Sequence, residues 1–401
     1  MTTLSVVIPA LNEENGISEI MNRVLAIRDD LKKVNVDTLE LLVVDDGSTD
    51  GTARVARELA AANEKVWVIS HPQNRGYGAA LKTGFEQATG DYVGFLDADG
   101  TYPPEFFPEL CKAALEGWEL VIGSRMAGTE TGMPLVRKIG NRFFAGMINV
   151  LGRSKITDSA SGMRVFKREV LERVSPLPDG LNLTPIMSTR AIHEGIKMLE
   201  IPIPYDERTG RSKLNPIRDG SIYVRTITWT VLQYNPVRVL GLIGLGGIAV
   251  AGIVTLGLVI ARLSGITQLS AWGIAALFAG MVSGVVGISV FSLGVTFNYL
   301  VSLFYQRPIR RQGLLGRPIF KKPLERNFGW GGLTIIGIGL IVSIVSLILG
   351  IQGWEISRLW LYLLGSAMMI LVGVQLVINW VLARILDELS KNHTKSENFY
   401  R

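Results

Sequence analysis

The chain has 401 residues, long enough for more than one domain, and its net charge of +6 is unevenly spread: from Pro236 onward there are 14 Lys and Arg against 5 Asp and Glu, leaving 27 against 30 before it. A basic excess beside apolar runs suits anionic lipid, and no basic and aromatic platform accompanies it to suggest nucleic acid. The single cysteine, Cys111, excludes an intrachain disulfide and a thiolate metal site and fits a reducing compartment, while His71, His193 and His393 are far apart in sequence and read as surface or packing residues.

The first apolar run, LSVVIPAL, is too short for a signal peptide and has no basic flank, so the N-terminal domain is expected to stay in the cytosol. It opens with a strand from Leu4 to Ile8 and a helix from about Glu13 to Lys33. Strands follow at Leu39 to Val44, Val66 to Ile69, Tyr92 to Leu96 and Leu120 to Ile122, with helices near Gly51 to Ala62, Gly78 to Ala88 and Pro104 to Glu116. This alternation predicts an α/β domain with a mostly parallel sheet and ligands at the C-terminal ends of its strands. Farther on, NRFFAGMINVLG is amphipathic and able to lean on a membrane.

The stretch from Ile217 to Pro236 mixes Ile222, Val224, Ile227, Trp229, Val231 and Leu232 with Arg218, Arg225, Gln233 and Asn235, which is too polar to span a bilayer. It reads as an interfacial segment or as an ordinary packed helix. Four apolar runs come next, at Val239 to Ala261, Ala271 to Tyr305, Gly329 to Gly350 and Leu359 to Ala383, each meeting the roughly 20 residues that a span needs. Between the second and third, Arg307, Arg310, Arg311, Arg317, Lys321, Lys322 and Arg326 face a single Glu325, so the loop is expected in the cytosol together with both termini. The expected layout is a catalytic α/β domain over 1–214, an interfacial segment over 215–237, an all-α transmembrane domain of four helices over 238–386 and a cytosolic tail over 387–401.

Two carboxylate pairs leave strand ends. Asp97 and Asp99 follow the strand ending at Leu96, and hard oxygens so placed suit a divalent cation bridging phosphate oxygens, although a D-x-D alone also suits a solvated turn. Asp45 and Asp46 follow LELLVV and precede GSTDGT, where they can accept hydrogen bonds from a ribose or base while Ser48, Thr49 and Asp50 can equally cap a helix.

In order and spacing, VVIPALNEE, VVDDGSTDGT, NRGYGAALKTGF, GDYVGFLDADGTYPPE and GSR resemble the inverting GT-A glycosyltransferases. Within them the likeness is to dolichol-phosphate mannose synthase and its bacterial polyprenyl-phosphate glucosyltransferase relatives, supported by DSASGMRVF and ERTGRSKL, and it covers residues 4 to 214 together with the plan of membrane spans. The resemblance implies a Rossmann-like GT-A domain that moves a hexosyl group from a UDP- or GDP-sugar to undecaprenyl or dolichyl phosphate, with Mg2+ or Mn2+ as cofactor, at the bilayer and in a possible homo-oligomer. It places Pro9, Ala10, Asn12, Glu13, Asp45, Asp46 and Asp97 around the nucleotide and Asp97 and Asp99 at the metal. It implies catalytic parts for Asp97, Asp99, Asp158 and Arg125, and contacts to the lipid phosphate from Arg125, Arg137, Asn141, Arg208, Ser212 and Lys213, although Arg137 and Lys213 also suit plain interfacial anchors.

Three positions depart from the family pattern. Thr101 replaces a Gln able to reach the metal, Ile186 an acidic residue, and Asn141 a Ser, which implies a looser or water-completed metal shell and an altered preference for sugar and base. The chemistry itself asks for no strong base, because a phosphate monoester with a second pKa near 6 is already a dianion for roughly nine tenths of its population at pH 7. A processive polysaccharide synthase is the alternative enzyme, but its Arg-Trp dipeptide is missing from the sequence. A membrane-anchored nucleotide-sugar sensor would have no need of Asp97 and Asp99.

Overall fold

The computed structural model describes residues 1–128, 133–152, 154–205, 216–266, 270–304, 327–354 and 356–399. They form two compact units, Met1–Thr230 and Val231–Arg401.

The first unit is a seven-stranded sheet. Its strands are β1 (Thr3–Ala10), β2 (Thr38–Asp45), β3 (Val66–Ser70), β4 (Tyr92–Phe95), β5 (Leu120–Ser124), β6 (Arg164–Lys167) and β7 (Met198–Pro202), in the spatial order β3-β2-β1-β4-β6-β5-β7. All neighbouring pairs are parallel except those of β6, which runs antiparallel to both β4 and β5. The expected mostly parallel sheet is therefore present, with two strands beyond the five read from the sequence. Every residue of β1 and β2 after the first is buried, as strands covered on both faces require.

Helices α1 (Ile17–Ala26), α2 (Arg28–Lys33), α3 (Thr52–Ala61), α4 (Tyr77–Gln87) and α5 (Phe107–Leu115) link the early strands. The single helix expected from Glu13 to Lys33 is two, because residues 13–16 form a turn closed by Gly16 N–H and Ile17 N–H on the Glu13 carbonyl, and Ile27, with ψ of 1°, ends α1 and opens α2. Beyond β5 come α6 (Leu135–Gly152), α7 (Val170–Val174), α8 (Leu183–His193) and α9 (Pro216–Tyr234). The segment expected to be interfacial or packed is thus helical, burying Ile227 and Val231 while Trp229 is exposed.

The second unit holds α10 (Pro236–Leu263), α11 (Ala271–Phe304), α12 (Phe328–Ile351) and α13 (Ile356–Phe399). Each contains a stretch long and apolar enough to cross a membrane, at Pro236–Ala261, Ala271–Asn298, Phe328–Ile351 and Tyr362–Glu388. The helices pair through glycines at close backbone approaches: a Cβ on Gly244 would meet the Gly287 carbonyl oxygen at 2.6 Å, and one on Gly332 the Gly373 oxygen at 2.6 Å. The basic loop Arg307 to Arg326, on which the expected orientation rests, lies outside the described residues.

Candidate active site

The strand order reverses beside β1: the chain passes from β1 to β2 and β3 on one side, then returns to place β4 on the other. The C-terminal ends of β1 and β4 therefore border a crevice of the kind in which open α/β sheets bind ligands. At these strand ends lie the expected Pro9 and Ala10, which close β1, with Asn12 and Glu13 just beyond it, Asp45, which closes β2, with Asp46 next, and Asp97 and Asp99 after β4.

On the β1 and β2 side, side chains stitch two loops together. Asn12, in the left-handed region at φ 51°, accepts the Thr49 N–H on Oδ1 at 2.8 Å and donates its own N–H to Ser48 Oγ at 2.9 Å. Glu13 N–H reaches Thr52 Oγ1 at 2.8 Å, and Asp45 accepts the Ser48 N–H at 3.2 Å. Asp50 accepts the Thr52 N–H at 3.0 Å one residue ahead of Gly51, which is the N-cap of α3 and leaves that helix without a side-chain cap. Asp46 turns inward. Its oxygens accept N–H groups of Arg75 at 2.9 Å and Gly76 at 2.8 Å, and Oδ1 lies 2.7 Å from His71 Nδ1. His71 is buried with its other nitrogen 2.9 Å from Thr83 Oγ1, a packing residue as expected.

On the β4 side, Asp97 Oδ1 accepts the Tyr77 hydroxyl at 2.7 Å from the start of α4. Its carboxylate also lies over Gly162, where an added Cβ would fall 2.4 Å from Asp97 Oδ2, so any larger residue there would displace the carboxylate. Asp99 Oδ1 accepts both the N–H and the hydroxyl of Thr101, at 3.2 and 2.6 Å. Thr101, which stands in place of a Gln, thus orients the second carboxylate.

The antiparallel β6 explains how residues distant in sequence join this edge. Because Arg164 pairs with Phe95, the loop from Asp158 to Met163 emerges beside the C-terminal end of β4. The same strand pairs with β5, whose end carries Arg125, and β7 pairs with β5 on its far side, bringing Glu200 and Tyr205. Arg125 donates from Nε to Asp158 Oδ2 at 2.7 Å and from Nη2 to Oδ1 at 2.8 Å, a two-pronged pair reinforced by its own N–H at 3.1 Å. Asn141 Nδ2 donates to Asp158 Oδ1 at 2.9 Å, and Glu200 accepts the Asp158 N–H at 2.9 Å. Asp158 is fully buried, and Arg125 keeps 13% of its side chain exposed. Burial would raise the Asp158 pKa, but the Arg125 charge and the hydrogen bonds outweigh it and hold the carboxyl below the usual 3.8. For Arg125 burial works against the charge, yet Asp158 more than answers it and the pKa stands well above the ordinary value.

The Arg125 guanidinium lies 5.4 Å from the ring centre of Tyr102 and 5.7 Å from that of Tyr205, within cation–π range of both. Tyr205 also accepts Arg137 Nη1 on its hydroxyl at 2.9 Å, so the two expected phosphate-binding arginines meet at one tyrosine. Tyr102 accepts the Gly162 N–H at 2.7 Å. Asn141, expected at the lipid phosphate, is buried and donates from its amide to Asp158. Arg208, Ser212 and Lys213 lie outside the described residues.

Arg164 is fully buried, donating to the carbonyls of Ser159 at 2.8 Å and Ser161 at 3.2 Å and to Ser188 Oγ at 2.9 Å. Burial pushes its pKa down to about 10, with Asp158 opposing the fall, so it stays charged at neutral pH and pins the loop that carries Asp158 and Gly162. Tyr77, Tyr102, Gly162 and Arg164 lie inside stretches that the sequence marked. Glu200 and Tyr205 have no local signal and are found only through the pairing of β7 with β5.

Residues 5–175 match the family model for glycosyl transferase family 2, and residues 236–397 match one described as a domain of unknown function, DUF8752. The low-salt glycan biosynthesis hexosyltransferase Agl6 of Haloferax volcanii is 34% identical over 227 residues, 56% of this chain, and the chain spans only 52% of that relative's length. The dolichyl-phosphate hexose transferase of the same organism is 30% identical over 231 residues, 57% of this chain and 94% of that protein. Among solved structures, glucosyl-3-phosphoglycerate synthase from Mycobacterium tuberculosis, in complex with Mn2+, UDP and phosphoglyceric acid, is 25% identical over 58% of this chain and 78% of its own, with a TM-score of 0.45. With one relative matched almost end to end and the strand-end carboxylates lying within the matched segment, the chain belongs to glycosyl transferase family 2.

Proposed function

We propose that this family 2 glycosyltransferase moves a hexosyl group from a nucleoside diphosphate sugar to the phosphate of a polyprenyl lipid, inverting the anomeric carbon, at the cytosolic face of a membrane. One observation carries the reading. An unbroken run of contacts passes from Asp97 through Gly162, Tyr102, Arg125 and Tyr205 to Arg137, and sets carboxylates suited to a metal and diphosphate beside cations suited to a second phosphate. The name of the dolichyl-phosphate hexose transferase relative and the four apolar helices support a lipid acceptor.

The reaction must bring two anions together in line, and this chain's residues are suited to that task. Arg125, fixed in direction by Asp158 and by two tyrosine faces, and Arg137 would meet the attacking phosphate, which as a dianion needs no base. All that Asp158 accepts from Arg125 and Asn141 suits a residue that aims Arg125 rather than one that takes a proton. In this reading Asn141 acts on Asp158, and Asp46 holds the loop over residues 71–76. Pro9, Ala10, Asn12, Glu13 and Asp45 would border the nucleotide, and Arg208, Ser212 and Lys213 would contribute contacts to the lipid phosphate.

Asp97 and Asp99, steered by Tyr77 and Thr101, are hard oxygen donors and fit Mg2+ or Mn2+. Among the described residues no cluster of three or more His, Cys, Asp or Glu joins them, so the other ligands would be diphosphate oxygens and water. Such an ion, when bound, neutralises charge on the departing diphosphate.

Incubating the purified protein with a panel of radiolabelled nucleotide sugars and polyprenyl phosphates tests the reading. Label should enter the organic phase only with both substrates and a divalent cation. Binding of a donor without transfer to any polyprenyl phosphate would contradict it.

A further inference from the structure

Tyr77, which donates its hydroxyl to Asp97, is the first residue of α4, and that helix start has no side-chain cap of its own. A segment distant in sequence closes it instead. The Asp179 carbonyl accepts the Ala79 N–H at 3.0 Å, one of the donors that a helix start leaves over. Gly76 and Gly78 flank Tyr77, and a Cβ on either would strike the backbone of residues 178–180, falling 2.6 Å from the Asp179 oxygen for Gly76 and closer still to the Pro178 oxygen for Gly78. Lys82, farther along α4, donates to the Leu177 carbonyl at 3.1 Å and pairs with the Asp179 carboxylate at 2.5 Å. Residues 177–180 therefore lie against the turn that carries Tyr77, held there by a backbone cap and an ion pair.

The other end of the same segment is gripped by α9. Tyr223 donates its hydroxyl to the Leu181 carbonyl at 2.9 Å, and the Asn182 amide donates to Thr226 Oγ1 at 3.1 Å. Tyr223 and Thr226 stand three apart and so share one face of the helix. Asn182 is buried where α8 begins, and Tyr223 packs on Phe144 of α6 with ring centres 5.2 Å apart. None of these residues has a part in the proposed reaction. They complete a continuous line of contacts from α9 through residues 177–182 and Tyr77 to Asp97.

We infer that residues 177–182 form a positioning segment, which sets Tyr77, and with it the Asp97 carboxylate, according to where α9 lies. A tyrosine between two glycines that touch another backbone follows that backbone, and the carboxylate that accepts its hydroxyl follows in turn. The affinity for a divalent cation–nucleotide complex then depends on two hydroxyls of α9, those of Tyr223 and Thr226. Because α9 runs on through Asn235 into the first apolar span, the segment ties Asp97 to the helix that leaves the catalytic domain. The inference rests on Asp97 meeting the metal and diphosphate, as proposed above.

Calorimetric titration of the full chain in nanodiscs with Mn2+–UDP and Mn2+–GDP tests it. Tyr223→Phe keeps the ring on Phe144 but removes the hydroxyl from Leu181, and Thr226→Val removes the acceptor of Asn182. Each should weaken binding by roughly 2- to 10-fold, the scale of one hydrogen bond, whereas Thr226→Ser, which keeps the hydroxyl, should bind like the wild type. In a Tyr77→Phe background, where the link to Asp97 is already cut, neither α9 change should weaken binding further. A local packing defect would not show that dependence on Tyr77. Wild-type affinity in both α9 variants, equal losses in Thr226→Ser and Thr226→Val, or the same loss with and without the Tyr77 hydroxyl overturns the inference, and a large loss in Asp97→Asn then leaves the metal assignment standing. Binding that is absent from the wild type, or that Asp97→Asn does not change, overturns both.

Discussion

Replacing Asp158 by Asn removes one negative charge from beneath Arg125 while nearly preserving shape. The carboxylate is fully buried and accepts three N–H groups from Arg125 and one from Asn141. Breaking a buried pair by neutralising one partner costs about 3–5 kcal/mol, because the other charge is left buried without an answer. The unit that holds the pair spans 230 residues, and in a domain of that size each kcal/mol moves the midpoint by about 2–4 °C, so Asp158→Asn should lower Tm by about 6–20 °C. Differential scanning calorimetry of the detergent-solubilised protein measures this. The sign with pH follows from the same pair. The folded carboxyl lies below its usual 3.8, so the stability it contributes is present above that value and is lost as pH falls through the folded pKa. Activity provides the second readout. Residual transfer by Asp158→Asn should keep the wild-type acid limb, set by the acceptor phosphate near pH 6. An unchanged Tm, or loss of that limb, would refute the assignment of Asp158 as the residue that aims Arg125.

Four other outcomes are expected. Asp99→Asn should abolish most transfer while leaving the protein folded, with chelation mimicking it; full activity of the variant in excess chelator would remove the metal from the account. Gly162→Ala sets a methyl 2.4 Å from Asp97 Oδ2, and overpacking of about 1–3 kcal/mol should weaken calorimetric binding of a Mn2+–nucleotide complex by roughly 5- to 150-fold; unaltered binding contradicts the role given to Asp97. Arg137→Lys should raise the apparent KM for polyprenyl phosphate, or lower kcat, with donor binding nearly unchanged, since a planar fork is poorly replaced by an ammonium; a defect confined to nucleotide-sugar binding removes Arg137 from the phosphate site. A reporter fused after Arg401 should be active only in the cytosol, and labelling of that tail by an impermeant reagent in intact cells would reverse the topology.

The half of the site at the ends of β1 and β2 is legible because its strands carry their own signal. Leu4 to Ile8 and Leu39 to Val44 are β-branched or leucine-rich runs, the first closed by Pro9 and the second by Asp45 and Asp46, so the strand ends are readable directly. β6 carried no such signal: its four residues, RVFK, begin with an arginine that no apolar pattern marks as buried, yet Arg164 is fully enclosed because two carbonyls and a hydroxyl receive it. Missing that antiparallel strand hides why Asp158 sits under Arg125. Tyr205 and Glu200 were illegible for the same reason, since the register of β7 on β5 is a long-range fact that local periodicity does not encode. The contact of Asn141 with a phosphate is an expectation from likeness alone, and its hydrogen bond to Asp158 has no signal in the local sequence.

In the proposed reaction the hexosyl group alone moves, leaving its phosphate on the nucleotide. A donor labelled with 14C in the sugar and 32P in the β-phosphate, incubated with the full chain, a polyprenyl phosphate and Mg2+ or Mn2+, reports this in a single extraction. The account predicts 14C in the lipid fraction and 32P retained in the water-soluble nucleoside diphosphate. Transfer of both labels to the lipid would mean that a sugar phosphate moves, and would contradict it.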